Sequence, residues 1–227
     1  MVTIAERLNS AYQRLQEAAE KSPYRHPVRL LAVSKTKPIT LIQHAYDCGQ
    51  RCFGESYVQE AIEKVQYFAN TPDLEWHFIG PIQSNKSRPI AEHFHWVHSV
   101  DREKIAKRLN EQRPKGMPPL QVLIQVNISL DPAKSGCLPT QIENLAQLIV
   151  HCDQLTLRGL MTITELTEDK AKQLNYFQQM RQCFDTLRAQ YPNVDTLSMG
   201  MSGDLEQAVA AGSTMVRIGT DIFGQRQ

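Results

Sequence analysis

Eight strand-like runs, each followed by a helical pattern, predict an α/β fold in which parallel strands close into a barrel inside a ring of helices. Three observations carry this. The alternation begins near residue 29 and continues to the end of the chain. No Gly/Ser-rich or Pro-rich linker interrupts it. The chain's 227 residues match the roughly 200–250 that one such barrel needs. A single domain, 1–227, is therefore expected. An open doubly wound sheet is the competing architecture, but the strand count and the absence of an early Gly-rich dinucleotide fingerprint count against it.

The elements follow in order. Ile4, Leu8, Tyr12, Leu15 and Ala19 fall at helical spacing, so an extra amphipathic helix precedes the barrel. Strands are expected at 29–34, 51–54, 75–79, 96–100, 121–128, 156–163, 196–199 and 215–219, all short apolar runs. Helices fill the intervals at 40–48, 57–68, 85–93, 102–112, 139–151, 168–190 and 205–211. Thr40, Ser56, Ser84, Asp101 and Asp204 stand where capping side chains belong. The segment 113–119, RPKGMPP, reads as a helix-to-strand loop. Trp76 and Trp96 are expected to pack between barrel and helices, and His77 to be a hydrogen-bonded core residue.

Composition excludes several function classes. A hydrophobic fraction of 41% and a charged fraction of 22% are those of an ordinary globular protein. A net charge of +1 leaves no electrostatic footprint for nucleic acid or an anionic membrane. No apolar run is long enough to span a bilayer, and the first residues lack a signal peptide's apolar centre. Five cysteines without paired spacing point to reduced thiols and a cytoplasmic setting; Cys48 and Cys52 read as buried, inert thiols. His93, His95 and His98 cross a helix-to-strand junction, a poor spacing for one tetrahedral metal ion, so no metal is expected. No exposed apolar stripe stands out, which makes a monomer the default.

The chemistry of such a barrel sits in the loops at the carboxyl ends of its strands. Those positions carry Lys35, Glu55 and Ser56, Gly80, Ser84 and Asn85, Ser99, Asn127, Lys134 to Gly136, Met161 and Thr162, the loop from Ser198 to Asp204, and Arg217 to Thr220. Lys35 is the sharpest of them. It follows the buried run Leu30–Val33, and the chain breaks at Pro38. Burial there disfavours the ammonium form and yields an amine able to attack a carbonyl, although a strand-end lysine can also simply snorkel to water. The Gly- and Ser-rich loop after the seventh strand and Gly219-Thr220 after the eighth occupy the recurrent phosphate site of barrels; the alternative is that these glycines only permit tight turns. An amine facing a phosphate rim suggests a phosphorylated carbonyl compound held as a Schiff base. Pyridoxal 5′-phosphate (PLP) fits, and a phosphorylated sugar aldehyde fits less specifically.

Long blocks of the chain resemble the pyridoxal phosphate homeostasis protein family: LAVSKTKP at 31–38, FGESYVQE at 53–60, WHFIGPIQSNK at 76–86, KSG at 134–136, RGLM at 158–161, LSMGMSGD at 197–204, and VRIGT at 216–220 with IFG at 222–224. The resemblance runs nearly the whole length and implies a (β/α)8 TIM barrel like the alanine racemase N-terminal domain. It implies that Lys35, not Lys37, carries PLP. Ser198, Met199 and Ser202, with Gly219 and Thr220, would hold the phosphate. Arg217 would lie near the pyridine nitrogen, and Ser84 and Asn85 would line the rim. Ser56 stands where Asn is usual, Gly203 where a polar residue is common, and the chain stops at Gln225-Arg226-Gln227 without a basic tail.

A carrier is expected rather than a strong catalyst. A two-base racemase needs a second proton donor, usually from a second domain, and only about seven residues follow the eighth strand. An arginine beside the pyridine nitrogen keeps it unprotonated, so the ring is a poor electron sink. The alternatives are a weak or partner-dependent amino-acid racemase and a PLP-responsive interaction protein; PLP-dependent apo-enzymes are the partners a carrier would serve. Lys134 is a candidate secondary acceptor, against the plainer reading of a solvated loop lysine.

Overall fold

The computed structural model describes residues 2–225; Arg226 and Gln227, named above at the end of the sequence, lie outside them. Strands β1 (Arg29–Val33), β2 (Cys52–Glu55), β3 (Glu75–Phe78), β4 (Trp96–Val100), β5 (Leu120–Gln125), β6 (Leu155–Met161), β7 (Thr196–Ser198) and β8 (Met215–Ile218) form a closed parallel barrel in chain order. β8 pairs back onto β1. The outer ring holds α2 (Ile39–Asp47), α3 (Val58–Tyr67), α4 (Ser87–His93), α5 (Glu103–Gln112), α6 (Ile142–Val150), α7 (Lys170–Gln190), α8 (Leu205–Ala210) and a short α9 (Thr220–Phe223). The extra helix α1 (Ile4–Lys21) packs against α8, α9 and α2. This is the (β/α)8 barrel expected from the alternation.

The strands are apolar because both faces are covered. Outward residues such as Phe53, Phe78, Val97 and Val122 meet Ile42, Ala61, Ile90 and Ile105 in one continuous buried layer. Inside the barrel the apolar filling is much smaller: Trp96, Leu123 and Met161, with Ile163 against them. Trp76 packs outward as expected, its ring 5.8 Å from Phe53 and 6.0 Å from Phe68. Trp96 does not. It points into the barrel and stacks on His77 at 5.3 Å.

Several boundaries differ from expectation. β5 stops at Gln125, because the following loop folds back and Cys137 N–H donates to the Gln125 carbonyl. Gly136, at φ +126°, permits this return; a Cβ there would sit 2.5 Å from the Asn127 nitrogen. The expected caps fare poorly. Thr40 lies inside α2, Ser56 precedes the cap position of α3, Ser84 opens a 3-10 turn, and Asp101 pairs with Arg102 at 2.6 Å. Asp204 stands at the α8 cap, but its Oδ1 accepts from Met201 N–H at 2.6 Å within its own loop. The side-chain caps are instead Thr3, in a reciprocal box with Glu6, and Asp169 on α7. All five thiols are free; Cys48 is exposed, so its expected burial is wrong. His93 and His95 face Pro89 O and Trp76 N, while His98 faces the barrel interior.

Candidate functional site

Lys35 sits in the turn directly after β1, half-buried, at the carboxyl end of the barrel. The turn is held from behind. The Lys64 ammonium on α3, itself buried, donates to Ser34 O at 2.8 Å, Glu55 Oε1 at 2.8 Å and Glu60 Oε1 at 2.5 Å. The Ser34 hydroxyl donates to Glu55 Oε1, and Thr36 N–H to Glu60 Oε1. Thr36 has φ +62°, a left-handed conformation uncommon for a β-branched residue, and the Glu60 bond helps retain it. Burial pushes the Glu55 carboxyl up, opposed by the Lys64 charge. Lys37, two residues on, donates its ammonium to the carbonyls of Gly224 and Gln225 at 2.9 and 2.7 Å.

Across the barrel, Arg217 on β8 is buried and donates to Ser198 Oγ at 2.7 Å and Thr162 O at 2.8 Å. Both acceptors are uncharged. Burial lowers this guanidinium to about 10, with Asp204 the opposing influence. At the rim, Ser202 and Gly219 are half-buried and Thr220 is exposed at the start of α9. Gly200, at φ +96°, brings the β7 loop against α8, where a Cβ would lie 2.5 Å from the Ala208 methyl. Ser84 and Asn85 occupy the 3-10 turn before α4, Asn85 exposed. Lys134 lines a hollow of about 190 Å³ with Ile79, Gln125 and Ile163.

Two of the expected phosphate residues, Ser198 and Met199, are buried. The Ser198 hydroxyl accepts from Arg217 and reaches His98 Nδ1 at 3.1 Å, inside the barrel. Met199 is fully buried, and its N–H bonds to Met215 O. Sequence reasoning missed Glu60 and Lys64. Their signal was i, i+4 spacing on a helix beside a strand-end glutamate, Glu55, already placed at the rim.

The alanine racemase N-terminal domain matches residues 6–227 of the chain. The pyridoxal phosphate homeostasis protein of Vibrio cholerae is 56% identical over 226 residues, covering 98% of this chain and 93% of that one. The chain belongs to the pyridoxal phosphate homeostasis protein family. PipY from Synechococcus elongatus, whose structure was solved with PLP bound, is 39% identical, with TM-score 0.83 over 98% of this chain and all of that one. Alanine racemase from Corynebacterium glutamicum shares the fold at 15% identity and TM-score 0.74, but this chain spans only 61% of its length. Family membership therefore joins the barrel to relatives of the same length, whereas the racemase carries further chain beyond it.

Proposed function

We propose that this chain binds pyridoxal 5′-phosphate on Lys35 and serves intracellular PLP homeostasis, holding and releasing the cofactor as a monomeric single-domain barrel without strong catalysis. The observation that carries the reading is Arg217: a buried cation whose hydrogen bonds, among the described residues, go only to uncharged oxygens, on the same barrel end as the Lys35 amine. That donor set fits a ligand with an aldehyde, an acceptor ring nitrogen and a phosphate. Lys35 supplies the amine for a Schiff base, and the Lys64 network fixes the turn that presents it. Ser202, Gly219 and Thr220 hold the phosphate through hydroxyls and backbone N–H groups at the starts of α8 and α9. Ser84 and Asn85 close the rim.

PLP supplies an aldehyde and, in enzymes that protonate its ring, an electron sink. Arg217, a cation that only donates, keeps a neighbouring ring nitrogen as an acceptor. That favours storage and delivery to PLP-dependent apo-enzymes over carbanion chemistry. Five free thiols fit a reducing, cytoplasmic setting, and no helix among the described residues is long and apolar enough to cross a membrane.

The test is borohydride reduction of PLP-loaded protein followed by peptide mapping, beside Lys35→Ala. A reduced adduct on the Lys35 peptide, absent from the variant, supports the reading. A wild-type protein that forms none overturns it.

A further inference from the structure

The interiors of (β/α)8 barrels are ordinarily filled by layers of bulky branched side chains. Here a column of polar groups crosses the interior from one barrel end to the other. At the amino-terminal end Glu75 accepts from Arg29 and lies 2.8 Å from His77 Nε2. His77 Nδ1 is 2.9 Å from His98 Nε2, and His98 Nδ1 is 3.1 Å from Ser198 Oγ. Ser198 accepts from Arg217, which stands at the proposed ligand site. His77, His98, Ser198 and Arg217 are all buried.

With both imidazoles neutral, the two ends dictate every proton between them. A guanidinium can only donate, and an ionised carboxylate can only accept. The Ser198 oxygen then accepts from Arg217, and its hydroxyl donates to His98 Nδ1. His98 then carries its proton on Nε2 and donates to His77 Nδ1. His77, protonated on Nε2, donates to Glu75. For neutral imidazoles this is the one arrangement that satisfies all five groups. Burial lowers both, His77 to about 4, while His77 and Arg29 hold Glu75 well below the usual carboxylate range. The stacked Trp96 ring fixes the plane of His77, and the two imidazoles meet nearly edge-on at 72°.

We propose that Glu75, His77, His98 and Ser198 are positioning residues for the ligand ring: a one-way hydrogen-bonded column that anchors the Arg217 fork from below and links its charge to a carboxylate at the opposite barrel end. This rests on the PLP reading of Lys35 and Arg217. Polarised imidazoles carry part of the Glu75 charge toward Arg217, in an interior where water does not screen it. The amino-terminal end thereby biases how firmly Arg217 faces the ring nitrogen. Other groups facing the column are Arg29 and Arg158, whose guanidinium groups lie 5.8 and 4.8 Å from the Trp96 ring, with Cys52, His95 and Asp204. Cys52, Glu75 and His77 also form a three-donor group within 4.8 Å. Arg29 already supplies the cation there, 2.9 Å from the Cys52 sulfur.

Two measurements decide the proposal. The first is long-range ¹H–¹⁵N NMR of the imidazoles in unliganded protein near pH 7. His77 and His98 are expected as neutral Nε2–H tautomers; an Nδ1–H tautomer or a charged ring at either position overturns the column. The second compares PLP-loaded wild type, Glu75→Gln and Ser198→Ala, with Cys152→Ser on the outer ring as a control away from the column. Glu75→Gln and Ser198→Ala are expected to shift the pH midpoint of the visible band by at least about half a unit, and Cys152→Ser to leave it. Folded variants that both retain the wild-type band and midpoint overturn the proposal while the Lys35 adduct stands. A wild type that forms no borohydride-trapped adduct overturns the parent reading and this one together.

Discussion

Lys64 Nζ lies 2.8 Å from Glu55 Oε1 in a buried ion pair directly behind the turn that bears Lys35. All three ammonium protons are used, on Glu55, Glu60 and Ser34 O. Removing one partner of such a pair leaves an uncompensated buried charge, which costs about 3–5 kcal/mol. Lys64→Ala is therefore expected to lower the urea midpoint strongly. It also loosens Lys35, and PLP affinity falls in whatever fraction still folds. Equilibrium unfolding with a parallel PLP titration reads both effects.

Arg217→Gln tests the other wall of the site. A charge-assisted hydrogen bond contributes about 1.5–3 kcal/mol, so affinity for PLP should fall by about ten-fold to a hundred-fold. The Lys35 adduct should still form at saturating PLP. Wild-type affinity in this variant would remove Arg217 from the ligand's surroundings.

Stability should fall with acid between pH 7 and 5. His77 and His98 stay neutral in the fold, with His77 lowered to about 4 from 6.5. The unfolded chain takes up protons at both as pH drops through 6.5, whereas the native chain resists at both, at His77 until near 4. Their contribution is thus present above about 6.5 and is lost as pH falls, on the order of 2 kcal/mol for His77 alone between pH 7 and 5, with His98 adding in the same direction. Glu75, held low, adds loss in the same direction below 4.5. Glu55, raised by burial, works oppositely and offsets part of the loss. Urea midpoints at pH 5, 6 and 7 measure the net slope; a flat profile would contradict two neutral imidazoles in the core.

Gly200→Ala should destabilise on two counts. The position has φ +96°, and the new methyl would lie 2.5 Å from that of Ala208. A cost of about 1–3 kcal/mol is expected, read as a drop in thermal midpoint, with the β7 loop displaced and PLP binding weakened.

The barrel was legible because period and punctuation agreed: apolar runs bounded by turn residues, repeated eight times without a linker. The position of Lys35 in the turn after β1 was legible for a related reason, a lysine ending a buried run before Pro38. The interior column was not, since its members come from four strands and the partners lie 21, 100 and 19 residues apart. A trace existed in the alternation of Glu75 with His77 and of Trp96 with His98, which places each pair on one face of its strand. Which face looks inward depends on barrel closure, so Trp96 was assigned to the wrong side. Capping failed similarly. Thr40 and Ser56 are good caps by type, but Pro38, already in extended backbone with φ −68°, starts α2 earlier, and Tyr57 takes the cap of α3.

Lys37 ties the carbonyls of Gly224 and Gln225 to the turn that bears Lys35, and a Cβ on Gly224 would come within 3.3 Å of the Arg7 guanidinium on α1. The first helix and the last described residues therefore meet beside the working end of the barrel. Engineering has to respect this. A fluorophore or affinity tag joined after Gln225 would pull on the turn it was meant to report. New chain ends opened at Gly116, a glycine with open space around it in the α5–β5 loop, with the old ends spliced, would give a permuted protein whose handles stand clear of the ligand.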